Sequence, residues 1–254
     1  MPENRNANNA RSPAQVDPRQ KGIDFQLERV KRAIAVSGCK GGIGKSVVST
    51  TLALILAKKG FRTGLLDLDF FSPSDHIVLG TKGKFPEEER GLIPTTINGL
   101  KFMSITYFTE NKPVPLRGVD VSNAIKELLA ITVWGELDFL VIDMPPGLGE
   151  TALEIMRSVK KLEFLLLSTS SRLAWESAKK MATLLKEMNE PILGIIENMK
   201  SKDSSLVKRE TSAAGLKYLG SLDFEFSLEE ALGSPGKLLS TRFAAKLEEI
   251  SRVL

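Results

Sequence analysis

The chain has 254 residues, of which 42% are hydrophobic, and a formal net charge of +4 at pH 7. This length and composition suit one α/β domain with a single core. No run of about 18 apolar residues occurs and no apolar signal segment is visible, so we expect a cytoplasmic protein without a membrane partner. The single cysteine and single histidine exclude an intramolecular disulfide and limit metal chemistry.

Basic charge is concentrated at the N-terminus. Residues 1–32 contain seven basic and four acidic side chains, a balance of +3, which leaves +1 for the remainder. Nucleic-acid enzymes concentrate positive charge on the folded body, so we expect no nucleic-acid partner. Few large apolar side chains occur near the N-terminus, and residues 1–28 are therefore predicted to be a disordered basic tail. Residues 29–254 are predicted to form one domain.

Short apolar runs alternate with helical patterns along the rest of the chain. The predicted strands are 33–36, 63–68, 91–94, 100–105, 139–142, 164–167 and 192–196, with a hairpin turn at Asn98-Gly99. The predicted helices are 45–59, 122–129, 178–188 and 239–254. This alternation predicts an α/β fold, a doubly wound and mostly parallel sheet with helices on both faces.

The strongest motif begins where the first predicted strand ends. Residues 40–46, Lys-Gly-Gly-Ile-Gly-Lys-Ser, have the spacing of a P-loop, although Cys39 replaces the first glycine of the general pattern. Glycines let backbone N–H groups approach phosphate oxygens, and the helix that follows directs the positive end of its dipole at them. We expect Lys45 to lie between the β- and γ-phosphates of ATP. The predicted nucleotide contacts are Gly41, Gly42, Ile43, Gly44, Lys45, Ser46 and Val47.

Acidic residues follow two other predicted strands. Asp67 and Asp69 close the second strand, and Asp143 ends the strand 139–142 as a Walker B acid does. Carboxylate and hydroxyl oxygens are suitable ligands for Mg²⁺, partly through water, so Ser46, Asp67 and Asp143 are the predicted metal residues. Pro146 and Gly147 come next and are predicted to be switch II, where glycine permits a conformational change on hydrolysis.

Lys40, directly before Gly41-Gly42, makes the motif similar to the deviant Walker A ATPases of the Mrp, MinD and ParA type. The resemblance implies a homodimer in the ATP-bound state, in which Lys40 reaches the partner's nucleotide as a catalytic cation. It implies that Asp69 orients the attacking water and that Asn198 contacts adenine. The expected activity is slow hydrolysis of ATP to ADP and phosphate, with Lys40, Lys45 and Asp69 as catalytic residues.

Finer matches resemble the archaeal ATP-dependent HypB group. They are Ser74-Asp75-His76, Phe85-Pro86-Glu87-Glu88, Pro115-Leu116-Arg117-Gly118 and Trp134-Gly135-Glu136-Leu137-Asp138-Phe139. The resemblance implies a metallochaperone that delivers nickel to [NiFe] hydrogenase with a HypA-like partner. Three alternatives stay open, which are an Mrp-type iron–sulfur assembly factor, a MinD- or ParA-like positioning ATPase, and a nucleotide-gated binding protein without turnover.

The stretch after Asn198-Met199 lacks the Cys-x-x-Cys pair with which Mrp-type carriers bind a bridging cluster. Iron–sulfur clusters are held by thiolates, so we expect no cluster on this chain alone. His76 is the one histidine, and a weak surface site with Asp69 or Asp75 is an open alternative to a structural role.

Overall fold

The computed structural model describes residues 17–70, 72–81, 83–109, 118–200 and 205–254. The strands are β1 Val30–Ser37, β2 Thr63–Asp67, β3 Glu87–Glu88, β4 Leu92–Ile93, β5 Thr95–Ile97, β6 Leu100–Ser104, β7 Leu137–Asp143, β8 Leu162–Thr169, β9 Ile192–Lys200 and β10 Tyr218–Asp223. The helices are α1 Arg19–Leu27, α2 Lys45–Lys58, α3 Asp75–Leu79, α4 Thr106–Thr109, α5 Gly118–Ile131, α6 Glu150–Ser158, α7 Arg172–Glu187, α8 Leu206–Ala213, α9 Leu228–Ala231, α10 Pro235–Leu238 and α11 Arg242–Ser251.

Eight of these strands form one sheet in the order β10-β9-β8-β1-β7-β2-β6-β5. All neighbours are parallel except β5 and β6, while β3 and β4 form a separate antiparallel pair. Crossover helices cover both faces, which confirms the predicted doubly wound fold.

Each sheet face carries its own apolar core, because neighbouring residues of a strand point to opposite faces. On β1, Ala33 and Ala35 belong to one core and Ile34 and Val36 to the other. The first core contains buried side chains of α1, α5, α6 and α7, and the second contains those of α2, α3 and α11. Among the described residues, no helix is long and apolar enough to cross a membrane.

The predicted disorder of residues 1–28 is wrong for its last third. Helix α1 spans Arg19–Leu27, and its Ile23 is fully buried in the core that includes Ile125 and Leu129 of α5. One well-placed apolar side chain therefore anchors a helix whose composition looks like a polar tail. Residues 1–16 lie outside the described residues, as do Pro115–Arg117 of the HypB-like matches and part of the stretch after Met199.

Two other boundaries differ from the predictions. The Asn98-Gly99 turn is present, but it joins β5 to β6. The predicted strand 91–94 instead yields β4, which pairs with β3. Pro94 separates β4 from β5 because proline has no N–H for a strand ladder. The closing helix begins at Arg242 instead of Leu239, since the Thr241 side chain accepts a hydrogen bond from the Ala244 N–H at 3.1 Å and caps it.

Helix α3 is held by a close backbone contact at its C-terminal end. Gly80 follows the helix with φ of 68°, and its N–H is bonded to helix carbonyls. A Cβ atom at Gly80 would lie 2.2 Å from the Gly233 carbonyl oxygen, so only glycine fits there. The Gly233 N–H donates to the Val78 carbonyl at 3.0 Å, which joins α3 to the segment after α9.

Candidate functional site: a phosphate loop beside three buried aspartates

The phosphate loop connects β1 to α2 at the carboxyl edge of the sheet. Gly42 and Gly44 have φ of 73° and 80°, and Gly44 is the residue before the first turn of α2. Because glycine has no side chain to cap a helix, the first backbone N–H groups of α2 remain available to an anion. The local structure is thus suited to bind phosphate.

The P-loop serine is tied directly to the end of β7. The Ser46 Oγ donates a hydrogen bond of 2.6 Å to Asp143 Oδ2. Ser49, three residues further on the same helix face, places its Oγ 2.9 Å from Asp143 Oδ1. Lys45 is buried, with 7% of its surface exposed. The structure therefore brings Lys45, Ser46 and Asp143 together as the sequence predicted.

Asp67 ends β2 in register with Asp143 on the neighbouring strand β7. Its Oδ1 accepts from the Asp69 N–H at 3.1 Å, and its Oδ2 accepts from Ser104 Oγ at 3.2 Å. The Asp69 Oδ1 accepts from the Ser72 N–H at 3.1 Å, which orients that carboxylate. Both predicted acids thus lie at the same edge as the phosphate loop.

Asp75 also belongs to this site, although it follows no predicted strand. One carboxylate oxygen from each of Asp67, Asp75 and Asp143 lies within 4.8 Å of the others, and all three residues are fully buried. Among the described residues this trio is the one cluster of potential metal ligands, and His76 does not belong to it. We call these three residues the aspartate cluster.

Burial and mutual repulsion disfavour the charged forms of the cluster. Burial raises the pKa of Asp67 to about 8, with the Asp143 charge as the next cause. Burial also raises the pKa of Asp143 to about 6, although hydrogen bonds from Ser46 and Ser49 and the Lys45 charge oppose this rise. The pKa of Asp75 lies well above its usual range, chiefly through burial. Oxygen donors of this kind fit Mg²⁺, whose charge would offset theirs.

Asn198 contacts the phosphate loop itself. Its Nδ2 donates a hydrogen bond of 2.8 Å to the Ile43 carbonyl, and a Cβ atom at Gly44 would lie 2.4 Å from that nitrogen. A cavity of about 330 Å³ lies alongside, lined by Val47, Asn198 and residues that follow β10, including Phe224 and Phe226. This cavity lies beside the loop where an adenine ring is expected. Contact between Asn198 and adenine stays a prediction.

The loop face beyond the site is open. Lys40 is half-buried and has no hydrogen bond or ion pair within the described part of the chain. Gly147 has φ of 81° and donates its N–H to the Gly38 carbonyl at 3.1 Å, while Pro146 is exposed. The segment predicted to be switch II therefore begins beside the phosphate loop.

Fold and site together define a P-loop nucleoside triphosphatase. Residues 29–234 match the family model described as ParA: NUBPL iron-transfer P-loop NTPase. This match covers most of the chain, and the chain belongs to this family.

Known proteins similar to this chain include iron–sulfur cluster carrier proteins. The chain is 38% identical to that of Pseudomonas fragi over 68% of its own length and 62% of the relative. It thus spans about three fifths of that relative. It is 34% identical to the carrier protein of Methanocaldococcus jannaschii over 90% of its own length and 85% of the relative. Among solved structures, the nucleotide-binding protein of Archaeoglobus fulgidus in complex with ADP matches with a TM-score of 0.75 and 28% identity, over 89% of this chain and 96% of that one.

These matches bear unequally on the functional expectations. They support an Mrp- or MinD-type nucleotide-binding protein, and the names of the relatives favour the iron–sulfur alternative. The closer resemblance to the HypB group, with nickel and a HypA-like partner, receives no support from them. Its short sequence matches carry less specific chemistry than the nucleotide motifs.

Proposed function

We propose that this chain is a dimeric ATPase that assists iron–sulfur cluster assembly. The observation that carries the ATPase part is the Ser46–Asp143 hydrogen bond, which joins the phosphate loop to a buried acid at 2.6 Å. Ser46, Asp67 and Asp143 would hold Mg²⁺, which would neutralise phosphate charge. Lys45 stabilises the negative charge that develops on the transferred phosphoryl group, and Asp69, held by the Ser72 N–H, orients the attacking water.

The open loop face supports the dimer. Gly41 and Gly42 are exposed, and a Cβ atom built on either would meet nothing within 4 Å. Val119 and Leu173, in the first turns of α5 and α7, are exposed apolar side chains at 74% and 69%. A second copy on this face would cover these groups and place its Lys40 at the nucleotide, where a further cation lowers the barrier to phosphoryl transfer.

The relatives' names support the iron–sulfur part of the proposal. The cysteine chemistry of this chain determines which protein holds the cluster. Cys39 is the one cysteine of the sequence, and its Sγ donates to the Ser177 carbonyl at 3.0 Å. Burial raises the pKa of this thiol, which disfavours the thiolate that a cluster needs. We therefore propose that a partner protein holds the cluster and that ATP turnover on this chain controls its transfer.

Hydrolysis and dimerisation are tested together on Lys40→Ala. We expect the wild type to form a dimer with ATP, seen by light scattering, and to release phosphate. Lys40→Ala should lose turnover by roughly 1,000-fold or more, the scale of removing one transition-state cation. Lys58→Ala, which removes an exposed lysine at the far end of α2, is the matched control. A wild type that stays monomeric with ADP, ATP and a slowly hydrolysed analogue would contradict the dimer.

The iron–sulfur role needs a separate assay. A scaffold protein loaded with a [4Fe–4S] cluster is mixed with an apo acceptor enzyme, and recovery of the acceptor's activity is followed with and without this chain and Mg-ATP. We expect the wild type, but not Lys40→Ala, to change the transfer rate with ATP. No response to ATP would refute the role while leaving the ATPase proposal intact.

A further inference from the structure

Asp75 is the least explained acid of the aspartate cluster. It is the first residue of α3 and is fully buried, although acids at a helix start usually face solvent beside the free N–H groups. The P-loop motif and the Walker B acid account for Ser46 and Asp143, and neither motif requires a carboxylate at position 75.

The two oxygens of Asp75 differ in their contacts. Oδ1 accepts a hydrogen bond of 3.0 Å from Thr50 Oγ1 on α2, which fixes the carboxylate. Oδ2 is buried and has no hydrogen-bond partner within the described residues. A buried carboxylate oxygen without a partner carries a desolvation cost that a bound cation would remove.

The surrounding charges point the same way. Three carboxylates share one buried volume, and Lys45 is the basic side chain whose charge acts on both Asp75 and Asp143. One ammonium cannot balance three carboxylates, so the cluster requires protons or a further cation. Three carboxylates with nearby hydroxyl groups form an all-oxygen donor set, which favours Mg²⁺ or Mn²⁺ over softer metals.

We propose that Asp75 completes a divalent-cation site that binds Mg²⁺ or Mn²⁺ before ATP arrives. In a P-loop protein whose ion arrives with the nucleotide, the phosphates supply part of its ligand shell. Here the third carboxylate replaces that contribution, so the cation is held at the phosphate loop in advance. The inference depends on the position of the nucleotide site but not on any role in iron–sulfur assembly.

The test is a titration of the full chain with Mn²⁺ in the absence of nucleotide, with free Mn²⁺ followed by its EPR signal. We expect one Mn²⁺ per chain, displaced by excess Mg²⁺. Asp75→Asn should weaken this affinity by roughly 10- to 100-fold, the scale for losing one metal-supporting carboxylate. Glu197→Gln is the matched control, because Glu197 is a fully buried acid hydrogen-bonded by Ser170 and Tyr218 outside the cluster. It should leave the affinity for Mn²⁺ unchanged.

Two outcomes overturn the proposal. A wild type that binds no Mn²⁺ without nucleotide refutes it without the need for any variant. Equal affinity in the wild type and Asp75→Asn would mean that Asp75 carries a proton and not a cation. Thr50→Val provides a second variant if Asp75→Asn does not fold, and it should weaken Mn²⁺ binding because it releases Oδ1. Phosphate release measured in parallel separates the proposals, since Mn²⁺ binding without ATP turnover would leave this site standing while the ATPase proposal fails.

Discussion

The two ends of β7 carry aspartates in opposite electrostatic situations. Asp138, near the start, is paired with Lys31 at 2.8 Å and hydrogen-bonded by Arg62, which holds its pKa well below the usual range. Asp143, at the end of the same strand, is fully buried, and its pKa is raised to about 6. Charge at the first end is matched by the fold itself. Charge at the second end has no such ion pair among the described residues and is left for a ligand to match. We call the edge of the sheet at Asp138 the structural edge and the edge at Asp143 the functional edge.

The largest expected difference between the two ends is in catalysis. Asp143→Asn should reduce ATP turnover by about 100-fold or more, because the ion and its waters lose an anionic partner. Asp138→Asn removes the same charge from the other end of the strand and should leave turnover within about twofold, since nothing there faces phosphate. Phosphate release at saturating Mg-ATP measures both. Similar losses in the two variants would remove the distinction between the edges.

The packing of α1 against α5 should have a larger effect on the free energy of unfolding than on catalysis. Ile23→Ala is expected to lower the free energy of unfolding by about 2–4 kcal/mol, because Ile23 is fully buried between α1 and α5. The affinity of the Ile23→Ala variant for ATP should not change. Phe25→Ala on the same helix is the control, since Phe25 is 71% exposed. Urea unfolding checks both variants, and an unaltered midpoint for Ile23→Ala would mean that α1 is not docked in solution.

The two edges should respond to pH in opposite directions. The folded-state pKa values of Asp67 and Asp143, about 8 and about 6, exceed the reference value of 3.8. Between these values the folded state binds more protons than the unfolded state, so stability without Mg²⁺ should fall as pH rises from 5 to 8. Asp138, whose pKa is lowered, contributes stability above pH 3.8 that is lost in acid. Urea unfolding at several pH values measures both trends.

The double variant of Asp67→Asn and Asp143→Asn provides the control for this pH dependence. It should reduce the decline between pH 5 and 8 to the part that the raised pKa of Asp75 contributes, and leave the acid limb in place. A wild type whose stability rises over that interval would contradict the raised pKa values.

The smallest predicted effect concerns the hydrogen bond between Asn198 and the phosphate loop. Asn198→Ala removes the hydrogen bond to the Ile43 carbonyl and should weaken ATP binding by about fivefold, equivalent to about 1 kcal/mol. Asn123→Ala, which removes an exposed hydrogen bond that Arg19 of α1 donates to α5, should leave that affinity unchanged. Isothermal titration with ATP distinguishes them. A loss far above tenfold would indicate direct contact between Asn198 and the base.

Local patterns explain which parts of the fold could be predicted. The phosphate loop and β7 follow from glycine spacing and a continuous apolar run, both visible within a few residues. The predicted strand 33–36 is shorter than β1 because Lys31 and Arg32 extend β1 at the structural edge. The strand is more exposed to solvent there, so charged side chains fit. The local sequence does not predict helix α1, because its buried side chain, Ile23, packs against α5 about a hundred residues away.

The same contrast holds within the site. Asp67, Asp69 and Asp143 could be found because each lies at or just after the end of a predicted strand, and the carboxyl ends of parallel strands meet at one edge. Asp75 could not, because Ser74-Asp75 has the form of an exposed helix start. Its burial comes from the packing of α3 on α2, and nothing in the local sequence expresses that contact. Ser49 left a weaker signal, since it repeats Ser46 one helical turn later.

The backbone contact between Gly80 and Gly233 fixes the C-terminal end of α3. Asp75 stands at one end of this short helix, in the aspartate cluster, and Gly80 stands at the other end, backbone against backbone. No side chain lies between Gly80 and Gly233 to bend and absorb a displacement. Leu232, the residue before Gly233, lines both the 330 Å³ cavity beside the phosphate loop and a 790 Å³ cavity walled by His76 and Tyr107. Helix α3 and the Gly80–Gly233 contact therefore connect Asp75 to the wall that these two cavities share.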